Sequence, residues 1–109
     1  MNESQATSAL AALAHPMRLQ AFRALVAAGQ EGLTPGALHQ QLGIPATTLS
    51  FHLKELSSAG LTTSERASRN LVYRAEYAQM NALLGYLTEN CCQGAACATT
   101  AAAGCCDPN

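Results

Sequence analysis

The chain has 109 residues, of which 49% are apolar and only 12% charged, which leaves room for one domain with a core and little more. Six Lys and Arg stand against seven Asp and Glu, a net charge of −1 that excludes a uniformly basic nucleic-acid coat protein and an acidic tail protein while leaving space for a local basic patch. No apolar run approaches the length of a membrane span, and the opening MNESQATSALAALAHP lacks the basic start and long apolar core of a signal peptide, so a cytoplasmic chain with no membrane partner is expected.

Residues 4–14 are rich in Ala, with Leu10 and Leu13 three apart, and predict a short first helix with Ser4 as its N-cap. His15-Pro16 breaks it, and Pro suits the first turn of a second helix that carries Leu19, Phe22, Leu25 and Val26 at helical spacing to about Ala28, before Gly29. Thr34-Pro35 supplies an N-cap and a first-turn proline for a two-turn third helix with Leu38 and Leu42, stopped by Gly43. After the tight Gly43-Ile44-Pro45 connection, a fourth helix runs to about Ser58 with Leu49, Leu53 and Leu56 on one stripe, closed by Gly60.

The period then changes. Leu61-Thr62-Thr63-Ser64 and Leu71-Val72-Tyr73-Arg74, separated by Ala67-Ser68-Arg69-Asn70, predict a β-hairpin. A last helix covers roughly 76–90, and Tyr77, Met80, Leu84 and Leu87 step along it by three and four, a seam suited to a partner helix. Beyond Gly94 no large apolar residue anchors the chain, so a flexible tail is expected.

Helix, short turn, helix, hairpin is the order of a winged helix-turn-helix, a mainly α fold with a small β wing, and here about five helices and two strands are expected. At 100° per residue, Leu49, Leu53 and Leu56 fall within about sixty degrees of one another and face the core. Thr47, Phe51, Lys54 and Ser58 fall opposite, flanked by Thr48 and Ser50. That outer face offers small hydroxyls, one cation and an apolar ring, which suits close approach in a major groove with hydrogen bonds to base edges and phosphates and contact to thymine methyls. An ordinary solvated face has the same composition, and Phe51 joins the core if the helix is rotated; the placement between turn and hairpin favours DNA. His52 lies at the edge of the core stripe and is expected to pack inside, while His15 and His39 read as isolated structural or exposed residues.

Charge is unevenly spread. Between residues 50 and 75, Lys54, Arg66, Arg69 and Arg74 outnumber Glu55 and Glu65, whereas elsewhere Arg18 and Arg23 face five acids. Arg66, Arg69 and Asn70 at the hairpin tip are placed to reach a phosphate backbone or an adjacent minor groove, although surface arginines also serve solubility.

All five cysteines, Cys91, Cys92, Cys97, Cys105 and Cys106, lie beyond residue 90. Bridges among such neighbours staple nothing to a core, so free thiols in a reducing compartment are expected, suited to a soft metal or to redox chemistry. Three thiolates without histidine favour a thiophilic ion of low coordination number: trivalent arsenic or antimony forms a three-sulfur pyramid, whereas structural zinc takes four ligands and often includes histidine. Cys91 and Cys92 diverge by 100° on a helix and converge on one ion only at a helix end, and Gly94 lets the chain turn Cys97 back. Cys105 and Cys106 are alternative or additional ligands, and a fourth thiol keeps cadmium, lead or zinc open.

His15-Pro16-Met17-Arg18-Leu19 resembles the start of the second helix of ArsR-family metalloregulators. So does Thr48-Leu49-Ser50-Phe51-His52-Leu53-Lys54-Glu55-Leu56, followed by Ala59-Gly60-Leu61 and a wing ending in Tyr73. The resemblance covers about residues 8–90. It implies a homodimer through the first and last helices that binds operator double-stranded DNA and leaves it when a metal or metalloid binds. The family's arsenic site in the helix before the recognition helix is missing, because residues 33–42 hold no cysteine, and its zinc-type site in the last helix is missing, because residues 76–90 hold no histidine. Glu89-Asn90-Cys91-Cys92 with Cys97 instead resembles an arsenic-responsive subgroup with cysteines just past the last helix.

The expected organisation is a DNA-binding and dimerisation domain over 1–90 and a Cys-rich tail over 91–109 carrying the inducer site. The expected function is a repressor that needs no resident cofactor and is released by As(III), Sb(III) or methylarsenite. A thiol redox repressor is the nearer alternative, with no cationic activator beside the cysteines. A thiol arsenate reductase or a metalloid chaperone is the more distant one. The chain shows no phosphate-type loop and no Cys-His pairing for an enzyme, and a chaperone leaves the fourth helix and hairpin unexplained.

Overall fold

Asn2, rather than Ser4, starts the first helix. The computed structural model describes residues 1–90, and in it α1 (Glu3–Leu13) opens on a capping box: Asn2 accepts from the Gln5 amide, and the Gln5 side chain accepts from the Asn2 amide. Both residues cap well, but only Asn2 has a glutamine three positions on to return the bond. Ala6, Ala9 and Ala12 form the buried face of α1 and let it approach its neighbours closely.

The second helix, α2 (Pro16–Ala28), has Pro16 at its first position and His15 as N-cap, whose Nδ1 accepts from the Met17 amide at 3.2 Å. A short 3-10 turn (Gly29–Glu31) follows. The Thr34 hydroxyl caps α3 (Pro35–Leu42) by accepting from the Ala37 amide, and Gly43 ends it in the left-handed region at φ +74°. The His39 Nδ1 donates to the Ile44 carbonyl, which pins the turn into α4 (Ala46–Ser58). Leu25, Leu38, Leu49, Leu53, Leu56 and Leu61 are wholly enclosed. Burying each contributes about 1.5–3 kcal/mol, and four of them sit on α4 or at its exit, so α4 is the axis of the core.

The hairpin is longer than its sequence pattern suggests. β1 (Thr62–Ala67) pairs antiparallel with β2 (Asn70–Ala75) from Thr62↔Ala75 to Ala67↔Asn70, so the loop is only Ser68-Arg69, with Ser68 at φ 61°. The polar outer residues Ser64, Glu65 and Arg66 show no alternation because both faces of the tip are exposed. The strand root is fixed by Leu33, which exchanges two backbone bonds with Tyr73 at 2.9 and 2.8 Å.

The last helix, α5 (Tyr77–Thr88), is shorter than the expected 76–90. It is tied to α2 by the Tyr77 hydroxyl, which donates to the Val26 carbonyl at 2.8 Å. Its seam divides: Tyr77 and Met80 pack on the domain's own core with Leu83, while Leu84 and Leu87 remain more than half exposed. The five helices and the hairpin give the expected winged helix-turn-helix among the described residues. No helix among them is long and apolar enough to cross a membrane.

Gly32 decides how closely the hairpin approaches. It has φ +67°, and a Cβ there would lie 2.4 Å from the Tyr73 carbonyl oxygen and 2.8 Å from Val72 Cγ1. Gly43 has a similar φ but open space around it. Gly43→Ala should therefore cost about 1–2 kcal/mol for the left-handed backbone alone. Gly32→Ala should cost clearly more, and equal shifts of the urea midpoint for the two variants would refute the close-approach argument.

Candidate nucleic-acid interface

The burial of α4 sorts its side chains. Leu49, Leu53 and Leu56 have no exposed surface, and the opposite face presents Thr47, Ser50, Phe51, Lys54 and Ser58, with Thr48 half-buried beside them. Phe51 is 53% exposed, so the alternative of a core Phe51 is overturned: the leucine stripe holds the opposite side of the helix.

The hairpin carries Arg66, Arg69 and Asn70, all exposed. Arg69 sits in the two-residue turn, Asn70 in the last pair of the ladder, and Arg66 one pair further back, opposite Leu71. Arg74, counted above with the basic segment, is engaged elsewhere. It pairs with Glu65 at 2.8 Å across the hairpin, and its Nε donates to the Gln30 carbonyl at 2.6 Å. An exposed pair of this kind contributes about 0–1 kcal/mol, so its effect is chiefly to fix geometry. The cations of this surface without a salt-bridge partner among the described residues are Lys54, Arg66 and Arg69.

A cluster that sequence reasoning missed lies behind α4. His52 is 3% exposed, as expected of a packed residue, but its neighbours are distant in the chain. Arg18 Nε donates to His52 Nδ1 at 3.2 Å, and the Arg18 guanidinium carbon lies 5.7 Å from the centre of the Phe51 ring. The His15 ring, which is not isolated, packs at 4.5 Å between centroids from His52. Because Nδ1 accepts, neutral His52 carries its proton on Nε2, a buried atom with no partner among the described residues. Burial first, then the charges of His15 and Arg18, hold the His52 pKa below its ordinary 6.5 against an opposing pull from Glu55. The local signal was His15-Pro16 with Arg18 one turn on, which put His15 and Arg18 on one side of α2; nothing local pointed to His52.

Among the described residues no group of three or more His, Cys, Asp or Glu is placed to hold a metal ion. The candidate inducer ligands Cys91, Cys92, Cys97, Cys105 and Cys106, and the whole 91–109 tail, lie outside the described residues. What can be seen is the approach to them: α5 closes at Thr88, Glu89 caps it, and Asn90 has φ 60°.

Comparisons with known proteins agree with this geometry. A family model described as a helix-turn-helix domain matches residues 13–65. The chain is 31% identical over 88 residues to the HTH-type transcriptional regulator YgaV of Escherichia coli K12, covering 81% of this chain and 87% of that one. Its fold is similar to an ArsR-like transcriptional regulator from Rhodococcus sp. RHA1, with a TM-score of 0.70, 25% identity and coverage of 77% and 76% of the two chains. It is also similar to a structure described as a possible transcriptional regulator for arsenical resistance, with a TM-score of 0.61, 27% identity and coverage of 74% and 84%.

The depressed His52 pKa has a thermodynamic consequence of definite sign. Below pH 6.5 the unfolded chain takes up the proton more readily than the folded one, so this contribution to stability is whole above pH 6.5 and is lost as pH falls toward the folded pKa. Urea midpoints should fall between pH 7.5 and 5.5, and His52→Asn should flatten that decline; an equally steep decline in the variant would show that other groups cause it.

Proposed function

The chain belongs to the ArsR family of winged helix-turn-helix transcriptional regulators, and on that premise we propose that it is a homodimeric, arsenic-responsive repressor. It binds operator DNA with α4 in the major groove and the hairpin against the flanking backbone or minor groove. It releases that DNA when trivalent arsenic or antimony binds thiolates beyond α5. The outer face of α4 carries the DNA reading: five exposed or half-exposed residues, Thr47, Thr48, Ser50, Phe51 and Lys54, present hydroxyls, a ring and a cation with no acid among them. Arg66, Arg69 and Asn70 add the phosphate and minor-groove contacts.

The dimer reading is supported by Leu10 on α1 and Leu84 and Leu87 on α5, which are 43%, 53% and 54% exposed. A second copy packing its first and last helices there removes that apolar surface from water.

The inducer reading rests on the donor set. Cys91, Cys92 and Cys97 offer three soft thiolates within one short stretch, which suits the three-sulfur pyramid of As(III) or Sb(III), with Cys105 and Cys106 as additional thiols. α5 closes at Thr88, so the described part of the helix stops three residues short of Cys91. Binding at the end of the dimer helix alters the spacing of the two α4 helices, and linkage then requires that metalloid and DNA oppose each other; a coupling of about 3 kcal/mol weakens DNA binding roughly a hundredfold.

A duplex selected from a random library with the full chain, followed by fluorescence anisotropy, tests these statements. Arsenite should release the duplex from the wild-type protein, and Cys91→Ser or Cys92→Ser should abolish the response. Retention of DNA in arsenite, or a normal response in both variants, would refute the site. Release by methylarsenite alone would replace the three-thiolate reading with a two-thiolate one, and release by zinc or cadmium alone would replace the inducer. Arg69→Ala should weaken binding to all sequences and reduce the salt slope by about one; an unchanged slope would remove Arg69 from the phosphate contacts.

A further inference from the structure

The side of α4 that faces α2 carries a polar contact that the proposed DNA reading does not use. Arg18 reaches α4 twice, through its Nε–H to His52 Nδ1 at 3.2 Å and through its guanidinium face at 5.7 Å from the centre of the Phe51 ring. One of these residues is buried at 3% exposure, and the other is 53% exposed on the outer face. Arg18 thus spans the helix from its buried edge to the surface offered to DNA. Phe51 and His52 also pack ring on ring, with centroids 5.6 Å apart, so a shift of one imidazole is felt by the exposed ring.

Apart from the Ser57–Thr62 hydroxyl bond at its C-terminal end, the deepest contact of α4 with the core is made by Leu49, Leu53 and Leu56. Leucine packing sets how deeply a helix sits, but it resists rotation about the helix axis only through shape. A directional bond from a planar guanidinium adds an angular restraint. We propose that Arg18 is a positioning residue for DNA recognition, which fixes the rotation of α4 through His52 and Phe51 and loses its grip when His52 takes up a proton. The proposal rests on the DNA-binding reading above.

The proton dependence follows from the donor and acceptor count. Arg18 can only donate, so the bond needs a lone pair on His52 Nδ1. Protonated His52 carries a hydrogen on Nδ1 and faces a second cation in Arg18. The titratable and charged groups that face His52 are His15 and Arg18 from the start of α2 and Glu55 from α4 itself. The α1 wall beside Arg18 and Glu55 is Ser8, Ala11 and Ala12, which carry no charge. Only Glu55 opposes the loss of the contact on acidification. The Nε2–H has no partner among the described residues, and that edge of the ring is held by packing that includes the His15 ring.

The test uses the full chain with a selected duplex and a scrambled duplex of the same composition, from pH 7.5 downward through the His52 titration, with affinities referred to folded protein measured in parallel by circular dichroism. Arg18→Met keeps an unbranched apolar stem and removes both contacts. It should weaken the selected duplex about tenfold, the scale of one lost charge-assisted hydrogen bond, and leave the scrambled duplex within about twofold. Wild-type discrimination should fall about tenfold as folded His52 takes up its proton. His52→Asn places an amide oxygen where Nδ1 stands and does not titrate, so it should keep discrimination across the same pH range. Nitrogen NMR of the imidazoles supplies a reading independent of DNA: His52 should be the Nε2–H tautomer at pH 7.5, and its titration should move up in Arg18→Met. Equal weakening of both duplexes by Arg18→Met would make Arg18 a plain phosphate contact and overturn the positioning role, as would wild-type discrimination that stays constant through the His52 titration. Failure of the wild type to bind any selected duplex would refute the DNA reading and this inference with it, whereas binding that Arg18→Met leaves unchanged would refute this inference alone.

Discussion

Leu49, Leu53 and Leu56 are wholly buried, and α1, α2, α3 and the first hairpin strand all close over the helix that carries them. An α-helix turns 100° per residue, so a leucine stripe at these spacings commits one side of α4 to the core and leaves Thr47, Ser50, Phe51 and Lys54 on the other. The surface proposed for DNA is therefore a by-product of hydrophobic burial: any rotation that exposed a leucine would withdraw the hydroxyls. Burial of three leucines supplies several kcal/mol for this choice of face. It does not by itself select an angle within that face, and the Arg18 contact to His52 and Phe51 supplies the directional element.

The hairpin is held by different means. Its large apolar residues, Leu71, Val72 and Tyr73, lie on β2 and are only half-buried, and most of β1 is exposed, so no buried leucine stripe holds it. Its root is instead fastened by backbone pairing of Leu33 with Tyr73, by the close approach that Gly32 permits, and by Arg74 bridging Glu65 and the Gln30 carbonyl. This arrangement engages Arg74 within the domain and leaves Arg66 and Arg69 as the exposed arginines of the hairpin. Polar fastening at the root with exposed charge at the tip suits the proposed contact with a solvated, highly charged partner.

α5 links the parts. One side packs on the core through Tyr77, Met80 and Leu83, while Leu84 and Leu87 face outward, and the helix ends just before the first cysteines. An event at its end therefore acts on an element that touches both the domain's own α1 and the surface proposed for a second copy. In the proposed dimer, this placement couples a change at the end of α5 to the relation between the two copies without disturbing either core.

Elements marked by neighbours in sequence were readable before any coordinates. His15-Pro16, Thr34-Pro35 and Gly43 announce helix ends through chemistry completed within three or four residues, and the leucines of α4 announce its buried face through a period that needs no partner. Ser4 and Asn2 are both competent caps, and the choice between them turns on the reach of Gln5. The hairpin extends past its apolar pattern because its outer residues are polar on both faces, and their strand character comes from cross-strand bonds rather than from burial. The contacts that organise the proposed interface, Arg18 with His52 and Arg74 with Gln30, join residues 34 and 44 positions apart. Composition carries no trace of such partners: an arginine bound to an imidazole or a carbonyl and an arginine free for phosphate are the same letter, and only the packing of α2 against α4, and of the hairpin against the turn after α2, tells them apart.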